Sequence, residues 1–242
     1  MNRLTVEGLN VRHGLLQAVK DVSFALAQGE TLALVGANGA GKTTLLRAIA
    51  GAHLPSGGRI LFDATDVTAM PAYKRVSHGI ALVPEGRRLF AQMTVEENLL
   101  LARSARRLGD WTIDAVMETF PQLKRRRHAK AGNLSGGEQQ ATAIGRALMT
   151  NPEILLLDEV SLGLSPIAVE QVYASLTSLM KSGTTCIVVE QDLNRAIAVA
   201  DRVICMLEGR IVLEGRSAQL SRDAITEAYF GLSHAGAKEL QS

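Results

Sequence analysis

Eight consecutive residues, Gly36-Ala37-Asn38-Gly39-Ala40-Gly41-Lys42-Thr43, carry the spacing G-x-x-x-x-G-K-[ST]. An apolar run, Thr31–Val35, precedes them, and a helical pattern from Lys42 to about Ala50 follows. That order suits phosphate. Glycines let the backbone curl until successive N–H groups point at phosphate oxygens, and a helix start adds the positive end of its dipole. Lys42 is expected to reach the β- and γ-phosphates, the Thr43 hydroxyl to bind Mg²⁺, and Thr44 to complete the cradle. A second apolar run, Ile154–Leu157, delivers two adjacent carboxylates, Asp158 and Glu159. Open α/β sheets bind ligands at the C-terminal ends of their strands. Asp158 is expected to hold Mg²⁺, directly or through water. Glu159 is expected to point the other way along the pleat and polarise an attacking water. Together these residues read as a site for a nucleotide and Mg²⁺, a reading that kinases, GTPases and many ATPases share.

The elements that must position them are visible as patterns. Up to Gln28 the chain reads as antiparallel β, with Val22, Phe24 and Leu26 alternating with polar or small residues. Pro55–Gly58 reads as a turn, then Arg59–Phe62 and Ile80–Val83 as strands. Thr94 with Glu97 forms a capping-box pattern, so a helix is expected from there to near Ser104, and another over Thr112–Phe120. Residues 103–130 are polar and basic and interrupt the strand alternation, as a helical lobe would. Helices at Gly137–Met149, Pro166–Met180 and Leu193–Ala200 then alternate with strands Ile154–Leu157, Thr185–Val189 and Val203–Leu207. Such alternation implies an α/β fold with a mostly parallel sheet covered on both faces. Glu208–Arg210 reads as a hairpin turn into a strand at Ile211–Leu213, and Asp223–Phe230 as a last helix. The last ten residues are small and polar and are expected to fray.

Composition narrows the class. With 47% hydrophobic and 21% charged residues over 242 positions, global disorder is excluded. Aromatics are only 4%, so the core must be aliphatic. A net charge of +2 argues against a nucleic-acid coat. No apolar run approaches the roughly 20 residues needed to cross a bilayer, and the start MNRLTVEGLN lacks a signal-peptide segment. The chain reads as cytoplasmic. Cys186 and Cys205 lie in apolar runs and are expected to be reduced, buried strand residues. The basic run Lys124–Arg127 reads first as a solvated helix end or loop, and second as a contact to anionic lipid. His53, His78, His128 and His234 show no metal-ligand spacing and receive no role.

Leu134-Ser135-Gly136-Gly137-Glu138-Gln139-Gln140 lies between the phosphate loop and the Asp158-Glu159 pair, ahead of a helix. It resembles the signature of ABC ATPases, and the resemblance spans essentially the whole chain. It implies a P-loop NTPase core with an N-terminal antiparallel β subdomain and an inserted α-helical signature subdomain. These make one ATPase domain over 1–242, with the helical part at roughly 91–149. It further implies a dimer, with itself or with a second ATPase subunit, that sandwiches two ATP molecules. Ser135, Gly136 and Gly137 would then act in trans on the partner's nucleotide.

Val83-Pro84-Glu85-Gly86-Arg87-Arg88, Ser161-Leu162-Gly163-Leu164-Ser165-Pro166 and Val189-Glu190-Gln191 are similar to ATPases of branched-chain amino acid importers, most of all the shorter of their two ATPase subunits. That resemblance implies two membrane permease subunits, an external solute-binding protein, no nucleic acid, and a peripheral place on the cytoplasmic face of the inner membrane. Glu85 stands where many relatives have a Mg²⁺-sensing Gln, and Gln191 where many have a switch His. Gln191 can donate a hydrogen bond to a γ-phosphate but cannot carry a proton charge. His13 stands at the usual adenine-stacking aromatic, and Val160 where Pro commonly follows the acidic pair. Two other readings compete: an ABC transporter for another solute (urea, other amino acids, or an exported one), and a soluble ABC ATPase of translation or DNA repair. The latter usually carries two ATPase domains or a coiled-coil insertion, neither of which is present.

Overall fold

The computed structural model describes residues 2–231, so the expected fraying of the last ten residues lies outside the described part. Two sheets organise it. The first has strand order β2-β1-β4-β5, from β1 (Asn2–His13), β2 (Leu16–Ala27), β4 (Gly57–Phe62) and β5 (Thr65–Asp66), all antiparallel. The second has order β10-β9-β3-β8-β7-β6. It is built from β3 (Thr31–Val35), β6 (Ile80–Val83), β7 (Ile154–Asp158), β8 (Thr185–Val189), β9 (Arg202–Leu207) and β10 (Arg210–Arg216). Every pairing in it is parallel except the β9–β10 hairpin.

Strand alternation sorts the central sheet into two cores. Ile154 and Leu156 of β7, Ile187 and Val189 of β8, and Ile204 and Met206 of β9 face the first sheet and helix α1 (Lys42–Ile49). Leu155, Leu157, Cys186 and Val188 face the opposite core, which packs α3 (Val95–Leu100), α4 (Ile113–Thr119), α5 (Gly136–Leu148) and α6 (Pro166–Lys181). Both faces of the middle strands are therefore dry, which is why they read as unbroken apolar runs. A smaller third core holds Ala33, Val35, Val203 and Cys205 against α7 (Leu193–Val199) and α8 (Arg222–Phe230). Both cysteines are free and buried, as the sequence predicts.

The region after Thr94 is less regular than the sequence implies. Its helix becomes a 3₁₀ turn at Leu101–Ala105, ended by Arg106 in a left-handed conformation. The basic stretch forms the short α4 and a 3₁₀ turn at Pro121–Arg126 rather than long helix. Sequence reading also misses α2 (Ala72–His78), which buries only Arg75 and so presents no apolar stripe. The capping box at α3 is complete: the Glu97 N–H donates to Thr94 Oγ1 at 3.1 Å, and the Thr94 N–H donates to Glu97 Oε2 at 2.7 Å. Thr94→Ala is expected to cost about 1 kcal/mol, lowering the melting temperature by roughly 3 °C. An unchanged melt would show that packing alone holds α3.

Candidate functional site: a phosphate cradle facing two carboxylates

The loop between β3 and α1 has the conformation its glycines permit. Gly36 and Gly41 have φ of 148° and 101°. A Cβ at Gly36 would meet the Met206 carbonyl oxygen at 2.2 Å, and one at Gly41 the Ala18 carbonyl oxygen at 2.3 Å. Any side chain there would collide with backbone, so these positions accept only glycine. The β9–β10 turn braces the loop from behind: the Gly209 N–H donates to Ala40 O at 3.0 Å, and the Lys20 N–H to Gly209 O at 2.8 Å. No side chain caps the start of α1. Its first N–H groups are therefore available to an anion, at the positive end of the helix dipole.

Lys42 is buried beneath the loop, where Nζ donates to Gly36 O at 2.6 Å and Ala37 O at 3.1 Å. Burial lowers its pKa, while the charges of Glu159 and Asp158 oppose that shift. Thr43 Oγ1 donates to Asp158 Oδ1 at 2.9 Å. Asp158 is 1% exposed, and its second oxygen, Oδ2, is buried without a hydrogen-bond partner. Burial, with the neighbouring charges of Glu159 and Glu85, pushes its carboxyl upward against the opposing Thr43 hydrogen bond. An orphaned carboxylate oxygen beside a hydroxyl and further acids is an oxygen donor set suited to a hard divalent cation. Glu85 itself is exposed, at the end of β6.

Glu159 departs from the sequence expectation. Strict pleat alternation would turn it toward α5 and α6, with Leu155 and Leu157. Instead β7 ends at Asp158, and Glu159 takes a left-handed φ of 48°. Both carboxylates consequently serve the loop side. Glu159 Oε1 lies 4.0 Å from Lys42 Nζ, and Gln191 Nε2 donates to Glu159 Oε2 at 2.7 Å. The structure thus joins Lys42, Thr43, Asp158, Glu159 and Gln191, drawn from three separate strand ends.

His13 is exposed at the end of β1, with Nε2 3.1 Å from Thr44 Oγ1. Sequence reasoning misses its neighbour. The His53 ring sits 4.5 Å away, tilted by 55°, and its Nε2–H donates to Arg12 O at 2.9 Å. Only the fold brings residues 13 and 53 together. Ser135–Gly137 stand apart: among the described residues no hydrogen bond links them to the loop or to the carboxylates. Ser135 caps α5, accepting from the Glu138 N–H at 3.3 Å, while Glu138 Oε2 accepts from the Ser135 N–H at 2.8 Å. Arg126 of the basic run holds the other Glu138 oxygen at 3.0 Å, and Arg127 pairs with Glu96 at 2.5 Å. Half of that run is therefore structural. Arg87, beyond Glu85, donates to Gln139 Oε1 at 2.8 Å and ties that loop to α5.

Residues 19–161 match the ABC transporter family. The chain belongs to the ABC transporter family. This ABC ATPase is 42% identical over 231 residues to the high-affinity branched-chain amino acid transport ATP-binding protein BraG of Pseudomonas aeruginosa, covering 94% of this chain and 99% of that protein. Its fold is similar to the ADP conformation of MJ1267, an ATP-binding cassette of an ABC transporter, at a TM-score of 0.82 and 28% identity over 96% of this chain and 99% of that one. It is also similar to the dimeric, post-hydrolysis cassette MJ0796 bound to ADP and phosphate, at a TM-score of 0.78 and 25% identity over 88% of this chain and 98% of that one. The fold class read from the sequence is thereby established, and the family chemistry is ATP binding and hydrolysis coupled to transport. Among the described residues no helix is long and apolar enough to cross a membrane.

Proposed function

We propose that this ABC ATPase powers the import of branched-chain amino acids, as the shorter of two ATPase subunits, through separate permease subunits fed by an external binding protein. The end-to-end 42% identity with BraG is the observation that carries the solute. Nothing in the chain needs to touch the amino acid. The working unit is a dimer of ATPase subunits, docked on the cytoplasmic side of the membrane. The whole chain forms one ATPase domain, with the helices at roughly 91–149 as its signature-bearing part.

In this reading the residues divide the work. Main-chain N–H groups from Gly36 to Thr44 enclose the phosphates, and Lys42 offsets their charge. Thr43 and Asp158 would hold Mg²⁺, with Glu85 nearby. When bound, that ion supplies charge neutralisation at the phosphates. Glu159 accepts a proton from the attacking water, and Gln191, already bonded to Glu159, orients the carboxylate. His13 covers the adenine, and Ser135, Gly136 and Gly137 complete the partner's site.

The test is capture of the membrane partners followed by ATPase measurement with leucine, isoleucine and valine. Stimulation by these solutes supports the assignment. A complex stimulated only by an unrelated solute would overturn the solute reading and leave the ATPase intact.

A further inference from the structure

Glu190 is the residue before Gln191 and is 1% exposed, yet the roles above leave it unused. A fully buried glutamate is expensive and needs partners. It has two. Ser161 Oγ donates to its Oε2 at 2.9 Å, and the Tyr173 hydroxyl donates to its Oε1. Burial pushes the Glu190 carboxyl up, opposed by those two hydroxyls. Burial and the adjacent Glu190 charge also raise the Tyr173 phenol, so Tyr173 remains a donor.

What these partners are attached to matters more than the bonds themselves. Ser161 lies two residues beyond Glu159, in a turn closed by the Leu162 N–H donating to Glu159 O at 3.1 Å. The Glu159 N–H donates to Val189 O at 3.1 Å, and Gln191 holds the Glu159 side chain at 2.7 Å. Three consecutive residues at the end of β8 thus grip the segment: Val189 the backbone of 159, Glu190 the side chain of 161, Gln191 the side chain of 159. Glu159 sits in a left-handed conformation, which a non-glycine residue adopts only when its surroundings over-determine it. Ser161 is the anchor on its C-terminal side, and Tyr173 ties the same carboxylate to α6.

We propose that Glu190 is a positioning residue: by clamping Ser161 and Tyr173 it fixes the turn after β7, and so keeps the Glu159 carboxylate paired with Gln191 and within reach of the phosphate loop. The proposal rests on the reading of Glu159 and Gln191 as the hydrolytic pair. Glu190 itself touches no reacting atom.

The test uses the full chain. Glu190→Ala is expected to lower kcat for ATP hydrolysis about tenfold, with KM for ATP and ADP affinity within about twofold, because positioning energies between coupled neighbours fall in that range. Glu190→Gln is expected to restore most of the rate, since its amide can accept from Tyr173 and donate to Ser161. Ser161→Ala, at a half-buried site, is expected to lower kcat about threefold and to add nothing to Glu190→Ala. In a Gln191→Ala background, Glu190→Ala is expected to have little further effect. A purely structural role would lower the melting temperature and leave kcat of the folded enzyme unchanged, which overturns the proposal. A full additional loss in the Gln191→Ala background also overturns it. Should Glu190→Ala fail to fold, Ser161→Ala decides alone: an unchanged kcat is fatal. Failure of the underlying reading shows separately, as parental turnover by Glu159→Gln.

Discussion

Glu159→Gln is expected to lower ATP turnover by about 100- to 1,000-fold while leaving nucleotide binding intact, because loss of a general base removes contributions of that size. The substitution keeps shape and keeps an oxygen for the Gln191 bond at 2.7 Å. What disappears is the negative charge and the proton acceptor. Three acids crowd this end of the sheet, and the Glu159 charge helps hold the Asp158 carboxyl above its usual range. Its removal lets Asp158 ionise more readily, which favours a bound cation. ATP affinity should therefore hold or rise while hydrolysis falls. Light scattering with ATP should show dimer accumulating, and single-turnover phosphate release should be slow. Turnover within tenfold of the parent would move the base elsewhere.

The reach of the sequence follows a physical division. Phosphate binding needs consecutive N–H groups from one curled segment, so the entire cradle from Gly36 to Thr44 is contiguous and legible. The same holds for the Thr94 capping box, whose partners lie three residues apart. Strands β7 and β8 are legible because both their faces are dry. The conformation of Glu159 is not legible, since the left-handed turn is imposed by contacts from residues 189–191, some thirty positions away. His53 is silent for the same reason: its relation to His13 exists only once β1 and the segment after α1 are folded together. Helix α2 is invisible to apolar periodicity because the one residue it buries is an arginine.

That arginine gives the second large expectation: Arg75→Met should destabilise the fold by about 3–5 kcal/mol through the carbonyls it leaves without a donor, a drop of roughly 10 °C in melting temperature for a chain of this size. Arg75 is 0% exposed, and no carboxylate pairs with it among the described residues. Its guanidinium instead donates to four carbonyls, with Nε to Met70 O at 2.8 Å, Nη1 to Ala48 O and Ile49 O at 2.7 Å each, and Nη2 to Thr68 O at 2.8 Å. Burial lowers its pKa to about 10, so it stays charged at neutral pH. Ala48 and Ile49 end α1, where the dipole is negative and carbonyls lack intrahelical partners. One cation therefore closes the C-terminal end of the same helix whose N-terminal end faces phosphate. Methionine fills the volume but takes the donor from the carbonyls of Ile49, Thr68 and Met70, while Ala48 O keeps the Gly51 N–H at 3.1 Å; each acceptor left unsatisfied costs about 1–3 kcal/mol. Lysine should recover only part of the loss, because a single ammonium cannot span carbonyls arranged around a planar fork. Arg75→Lys is then the informative variant: its stability should fall between Arg and Met, and its KM for ATP should rise as α1 loosens at its far end. A Met variant melting within 3 °C of the parent would mean that neighbouring polar groups or water satisfy those carbonyls, and that the phosphate helix does not depend on Arg75.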